Sequence, residues 1–112
     1  ELVLGLIRDP RIGPSVMFGI GGIFTEIFED VVFRVAPLTT ADGLAMTGEI
    51  RGAKILKTVR GMPAADRDAL AAAAVALGQI GLDHEDIQEI DINPLILAGS
   101  QPVAADAVVV LK

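Results

Sequence analysis

Apolar residues along this chain fall in short runs broken by glycine and proline. Leu2 to Arg8 reads as a buried-type strand, ended by Asp9-Pro10, and Arg11-Ile12-Gly13-Pro14 as turn material. Ser15-Val16-Met17-Phe18 resumes an extended run, so the first twenty residues predict a hairpin with a longer loop. Phe24 to Glu29 alternates without a purely apolar face and predicts a short twisted strand. Val31 to Ala36 predicts another, stopped by Pro37. The period then lengthens. Thr39, with Asp42 three residues on, caps a helix that reaches about Ile50 and is weakened by Gly43 and Gly48. A clearer helix opens at Pro63 and Asp66 and runs to about Gln79. Its buried stripe is Leu70, Ala73, Ala74, Leu77 and Ile80, and Gly81 suits its stop.

The last third predicts a hairpin whose register can be read directly. Gly99-Ser100 is a tight-turn dipeptide. Centring the turn there pairs Leu97 with Pro102 and Asn93 with Asp106, and a two- or four-residue loop gives the same pairing. The two-residue period then separates the faces. Ile90, Ile92, Pro94 and Ile96 stand opposite Val109, Ala107, Ala105 and Val103 on one. Glu89, Asp91, Asn93 and Leu95 stand opposite Val110, Val108, Asp106 and Ala104 on the other. Pro94, inside the strand, points to an edge position or a bulge that would disturb the register.

Strands, then helices, then a hairpin predict an α+β fold: a largely antiparallel sheet with helices packed on one face. The other face is expected to carry the polar groups. At 112 residues the chain is one domain or a piece of one. It opens on a core strand with no initiator Met and reads as cut from something longer. Aromatic residues are only 4%, so the core is aliphatic. A net charge of −6 argues against a general nucleic-acid binder. With no cysteine, disulfides and Cys-based zinc sites are excluded, and an intracellular, cytoplasmic setting is expected. No apolar run approaches the ~20 residues that span a membrane, and no signal peptide is visible.

The hairpin also carries the candidate chemistry. Opposed residues have Cβ atoms roughly 4.5–5.5 Å apart, so the Asn93 amide and the Asp106 carboxylate converge, with Asp91 two positions along. Oxygen ligands, one or two carboxylates and open positions for phosphate and water suit Mg²⁺. The plain alternative is a half-exposed hairpin with an ordinary polar outer face. Gly19-Ile20-Gly21-Gly22 lets a backbone approach phosphate closely, making Gly21 and Gly22 candidate nucleotide contacts. Its spacing equally fits a tight turn and matches neither the P-loop nor the dinucleotide fingerprint. Glu26 lies near these glycines and reads as a site residue or a solvated strand carboxylate. Arg51, Lys54, Lys57 and Arg60 form a basic stripe that reads as a nucleotide or acidic-partner contact or as a solvated helical face. His84, the only histidine, lies in the polar link Asp83-His84-Glu85-Asp86 and is assigned no role.

Taken together, Glu-Leu-Val-Leu-Gly at residues 1–5, Asp-Pro-Arg-Ile-Gly-Pro at 9–14, Phe-Gly-Ile-Gly-Gly-Ile-Phe-Thr-Glu at 18–26, Arg-Gly-Met-Pro at 60–63 and Glu-Ile-Asp-Ile-Asn-Pro-Leu at 89–95 resemble the ATP-grasp portion of the ADP-forming acyl-CoA synthetases. These enzymes are related to the succinyl-CoA synthetase beta subunit. The resemblance covers nearly the whole chain and implies residues 1–112 as the C-terminal lobe of an ATP-grasp domain. It further implies synthesis of an acyl-CoA from a carboxylic acid, CoA and ATP with release of ADP and phosphate. The route is through an acyl phosphate and a phosphohistidine. By the same resemblance, Asn93 and Asp106 hold Mg²⁺ at the nucleotide phosphates. Asp91 takes a catalytic position near the phosphohistidine, where the succinyl-CoA relatives have glutamate.

The resemblance also implies what lies elsewhere. The expected partners are the other ATP-grasp lobe, with its basic phosphate contacts and much of the adenine pocket, and the CoA-binding domains. The chain by itself is expected to be inactive and to self-associate through exposed apolar surface. A second reading is a non-catalytic module of the kind found fused to acetyltransferase domains, binding ligand or regulating without turnover. A third is a plain structural domain, which leaves the cluster at Asp91, Asn93 and Asp106 unexplained.

Overall fold

The computed structural model of the protein describes residues 2–20, 30–50 and 66–112. The expected strand at Phe24–Glu29, Gly21, Gly22, Glu26, Pro63 and the basic stripe lie outside the described residues. The elements are β1 (Leu2–Asp9), β2 (Gly13–Ile20), β3 (Val31–Val35), α1 (Thr40–Glu49), α2 (Arg67–Asp83), β4 (Ile87–Ala98), β5 (Gln101–Ala104) and β6 (Ala107–Leu111). The strands form one antiparallel sheet in the order β3-β2-β1-β4-β5, with β6 continuing beside β4 beyond β5. The α+β architecture is therefore as the pattern predicts.

One face of the sheet is covered by the helices. Leu2, Leu4 and Leu6 pair across β2 with Ile20, Phe18 and Val16. This face is shared by Ile90 of β4 and packs against Met46 of α1 and Leu70, Ala74 and Leu77 of α2. Leu6, Val16 and Met46 are completely buried, each worth about 1.5–3 kcal/mol relative to exposure.

Helix α1 begins as expected. The Thr39 hydroxyl accepts from the Asp42 amide and the Asp42 carboxylate accepts from the Thr39 amide. Gly43, read as a weak point, proves to be a contact. A Cβ there would lie 2.8 Å from the Ala71 carbonyl oxygen, so glycine lets the two helices touch.

Helix α2 starts after its Asp66 cap but runs one turn past the expected stop, to Asp83. Gly81 is therefore an interior helical residue lying against Leu6 and Pro14, and His84 takes the cap position. The buried stripe is Leu70, Ala71, Ala74, Leu77, Gly78 and Gly81, and Ile80 is exposed. At Gly81 the helix comes so close to Pro14 and Leu6 that a side chain has no room.

The far face departs from expectation. It carries Ile7, Phe33 and Val35, each 43–50% exposed, rather than polar groups alone. With Asp9, Ile12 and Ser15 they line an open depression of ≈ 270 Å³. Among the described residues no helix is long and apolar enough to cross a membrane.

Candidate functional site

The β4–β5–β6 hairpin holds the candidate site in the predicted register. Leu97 pairs with Pro102 and Ile96 with Val103. Beyond the break at Ala105-Asp106, Ile92 pairs with Ala107 and Asp91 with Val108. Gly99 sits at φ +66° in the turn, a conformation glycine adopts without cost. Across the break the Asn93 amide donates to the Asp106 carbonyl at 3.1 Å and the Ala105 amide to the Pro94 carbonyl at 3.1 Å. Asn93 and Asp106 therefore stand opposite one another, as the sequence places them.

The effect of Pro94 appears on the other side of β4. There Leu4 pairs with Ile92 but Leu2 pairs with Leu95, so three steps along β4 match two along β1. This bulge, at the cis Asn93-Pro94 bond, inverts the alternation beyond it. Leu95, expected on the polar face, is 5% exposed in the helix-side core, while Ile96, expected on the apolar face, is 43% exposed. The face assignment holds from Glu89 to Asn93 and reverses after Pro94.

Two ties fix the hairpin to the helices. At the turn, the Asp66 amide donates to the Ser100 carbonyl at 2.7 Å, and the Gln101 side-chain amide donates to the Asp66 carboxylate at 2.9 Å. The Gln101 bond and the Ala69 amide hold the Asp66 carboxyl below its ordinary value. At the other end the Arg8 guanidinium donates to the carbonyls of Ile87, Gly81 and His84 at 2.8, 2.6 and 3.0 Å. It joins β1, the end of α2 and the start of β4. Sequence reading gave Arg8 only the end of a strand; a cation closing a strand that faces a helix C-terminus was the available signal.

The site side chains are accessible. Asn93 and Asp106 are exposed and Asp91 is half-buried. Among the described residues none hydrogen-bonds to these three side chains, so their oxygens are free for a ligand. Asp91 pairs with Gly5, where a Cβ would meet the Ile90 carbonyl oxygen at 3.0 Å and the Met17 methyl at 3.4 Å. Glycine keeps the surface beside Asp91 low. Among the described residues no group of three or more His, Cys, Asp or Glu could hold a metal. The donors present, one amide oxygen opposite one carboxylate, instead suit a hard cation that shares its remaining positions with phosphate and water.

Residues 1–111 match the model of an ATP-grasp domain. The chain belongs to the ATP-grasp family. It is 47% identical over 111 residues to the beta subunit of the ADP-forming acetate–CoA ligase I of Pyrococcus furiosus, covering 99% of this chain and 48% of that one. It is 36% identical over 97 residues to the ADP-forming 4-hydroxybutyrate–CoA ligase of Nitrosopumilus maritimus, covering 87% of this chain and 14% of that protein. Acetyl-coenzyme A synthetase 1 of Candidatus Korarchaeum cryptofilum was solved with coenzyme A and Mg-AMPPCP. It superposes with a TM-score of 0.93 at 45% identity, covering all of this ATP-grasp chain and 53% of that one. The chain spans about half the length of the first of these relatives, and of that structure.

Proposed function

We propose that this chain is the Mg²⁺–nucleotide lobe of an ADP-forming acyl-CoA synthetase, an acid–thiol ligase that joins a carboxylic acid to CoA at the expense of ATP. The carrying observation is the pair Asn93 and Asp106, opposite one another with free oxygens in a chain akin to acetate–CoA ligases. The parent enzyme acts in the cytoplasm, with the other ATP-grasp lobe and the CoA-binding domains as partners.

Phosphoryl transfer calls on a protein chiefly for positioning and charge neutralisation. Asn93 and Asp106 would hold Mg²⁺, which when bound neutralises phosphate oxygens and keeps them in line. Asn93 contributes a neutral oxygen, so the pair adds a single negative charge and leaves the cation able to draw phosphate. Gly21 and Gly22 offer backbone amides to the nucleotide. Asp91, on the same face two residues before Asn93, orients the histidine that relays the phosphoryl group.

The test is an NMR titration of the chain with Mn²⁺ and ADP, following paramagnetic broadening at assigned amides. Selective broadening around Asn93 and Asp106, lost in Asp106→Ala, is the expected result. Diffuse broadening that Asp106→Ala leaves unchanged would overturn the assignment of this pair. Acyl-CoA formation is expected only from the complete enzyme.

A further inference from the structure

Strand β6 closes the sheet on one side, and its sequence is unusual for an edge. Ala107, Val108, Val109, Val110 and Leu111 are all exposed, the last four by 52%, 54%, 41% and 61%, and they point to both faces. No charge lies among them. Exposed sheet edges are normally guarded by charge, proline or a bulge, because their free amides and carbonyls template pairing with another chain.

Which backbone groups are free follows from the ladder. The Asn93 amide donates to the Asp106 carbonyl, and the Lys112 amide donates to the Asp86 carbonyl at 2.9 Å. Groups on even-numbered residues therefore turn toward β4, and the two-residue period turns those of Ala107, Val109 and Leu111 outward. Among the described residues, β6 pairs with β4 alone.

We propose that a second copy of this chain pairs with β6, antiparallel and edge to edge, about a two-fold axis at Val109. The outward groups require odd-numbered residues to meet odd-numbered ones. Charge then selects the register. With the axis at Val109, Asp106 faces the partner's Lys112 and Lys112 faces the partner's Asp106, while Ala107 meets the partner's Leu111 and Val108 the partner's Val110. Moving the axis to Val108 sets Asp106 against the partner's Val110 and leaves both charges without a counterpart. Such an interface is isologous and closes on itself. Exposed ion pairs are weak, so the charges set register while the backbone bonds and valine contacts set affinity. The partner's Lys112 arrives beside Asp106 from the side away from Asn93, which brings a cation from the second copy to the rim of the candidate site. The pairing itself needs no nucleotide, and because Asp106 also belongs to the proposed metal site it is measured without divalent metal.

The test is sedimentation of this 112-residue chain across a concentration series, without nucleotide or divalent metal. The expected mass rises from 11.7 kDa to twice that value. Val109→Pro removes an outward amide that β4 does not use and is expected to give a monomer with an unchanged circular dichroism spectrum. In this cysteine-free chain Val109→Cys meets its own copy across a hydrogen-bonded pair, where Cα atoms lie about 5.5 Å apart, and is expected to oxidise to a disulfide-linked dimer. Val108→Cys meets a valine and stays unlinked. Lys112→Glu weakens association a few-fold. A chain that remains monomeric throughout the series overturns the proposal. So does a dimer that Val109→Pro leaves intact, or one in which Val108→Cys links as well as Val109→Cys. If Val109→Pro unfolds, the two cysteine variants decide.

Discussion

Replacing Gly81 by alanine opposes two effects whose balance the structure fixes. In an ordinary helix interior alanine is better than glycine by about 0.8–1.0 kcal/mol, and Gly81 lies within α2. Its added Cβ, however, would lie 2.8 Å from Pro14 Cβ and 2.9 Å from both Leu6 methyls. Neither neighbour yields easily. Leu6 is completely buried, and Pro14 is held by its ring and by the Ala36 amide, which donates to its carbonyl at 2.9 Å. Overpacking of this kind costs about 1–3 kcal/mol, so the net loss is about 1 kcal/mol, or about 4–8 °C in Tm for a domain near this size. Gly48→Ala is the matched control. That position is exposed, and among the described residues its only close neighbour is the end of the Arg67 guanidinium at 3.0 Å. A gain of about 0.4–1 kcal/mol is expected there. Thermal unfolding by circular dichroism measures both. Gly81→Ala melting at or above the wild type, with Gly48→Ala raised, would refute the close approach of α2 to β1 and β2.

Arg8→Ala leaves the carbonyls of Gly81, His84 and Ile87 without their shared donor. A loss of about 2 kcal/mol is expected in denaturant unfolding, and Arg8→Lys recovers little, since a point cation cannot serve all three. Acid stability follows from the carboxyls of Asp9, Asp42 and Asp66. Each is held below the ordinary aspartate value by hydrogen bonds, chiefly from the Arg11 side chain, the Thr39 amide and the Gln101 side chain respectively. Their folded values are depressed, so their contribution is present above the ordinary aspartate value and is lost as pH falls through the folded values. Asp42→Asn flattens that part of an acid unfolding profile; an unchanged profile would count against the capping box as its source. Thr39→Ala costs about 1 kcal/mol by equilibrium unfolding. In the Mn²⁺ titration Asp106→Asn weakens binding without changing Tm, since its side chain bonds to none of the described residues.

The sequence by itself determined the strands among the described residues, the two helix caps and the hairpin register. Each depends on chemistry a few residues long: Thr39 and Asp42 satisfy the first amides of a helix, and Gly99-Ser100 turns a strand so that Asn93 must meet Asp106. The pairing of Asn93 with Asp106 was legible because a tight turn propagates its register along both strands. Only the tertiary structure decided which face each residue keeps beyond Pro94. The bulge is a mismatch between β4 and β1, strands far apart in sequence, and it buries Leu95 while exposing Ile96. The same holds for Gly43 and Gly81. Locally they read as a weakness and a stop, but each marks where another element comes within a methyl group of the helix. Arg8 bonds to carbonyls more than seventy residues away, beyond any local pattern. Short-range hydrogen bonding is written in neighbouring residues, whereas close packing depends on which surfaces meet.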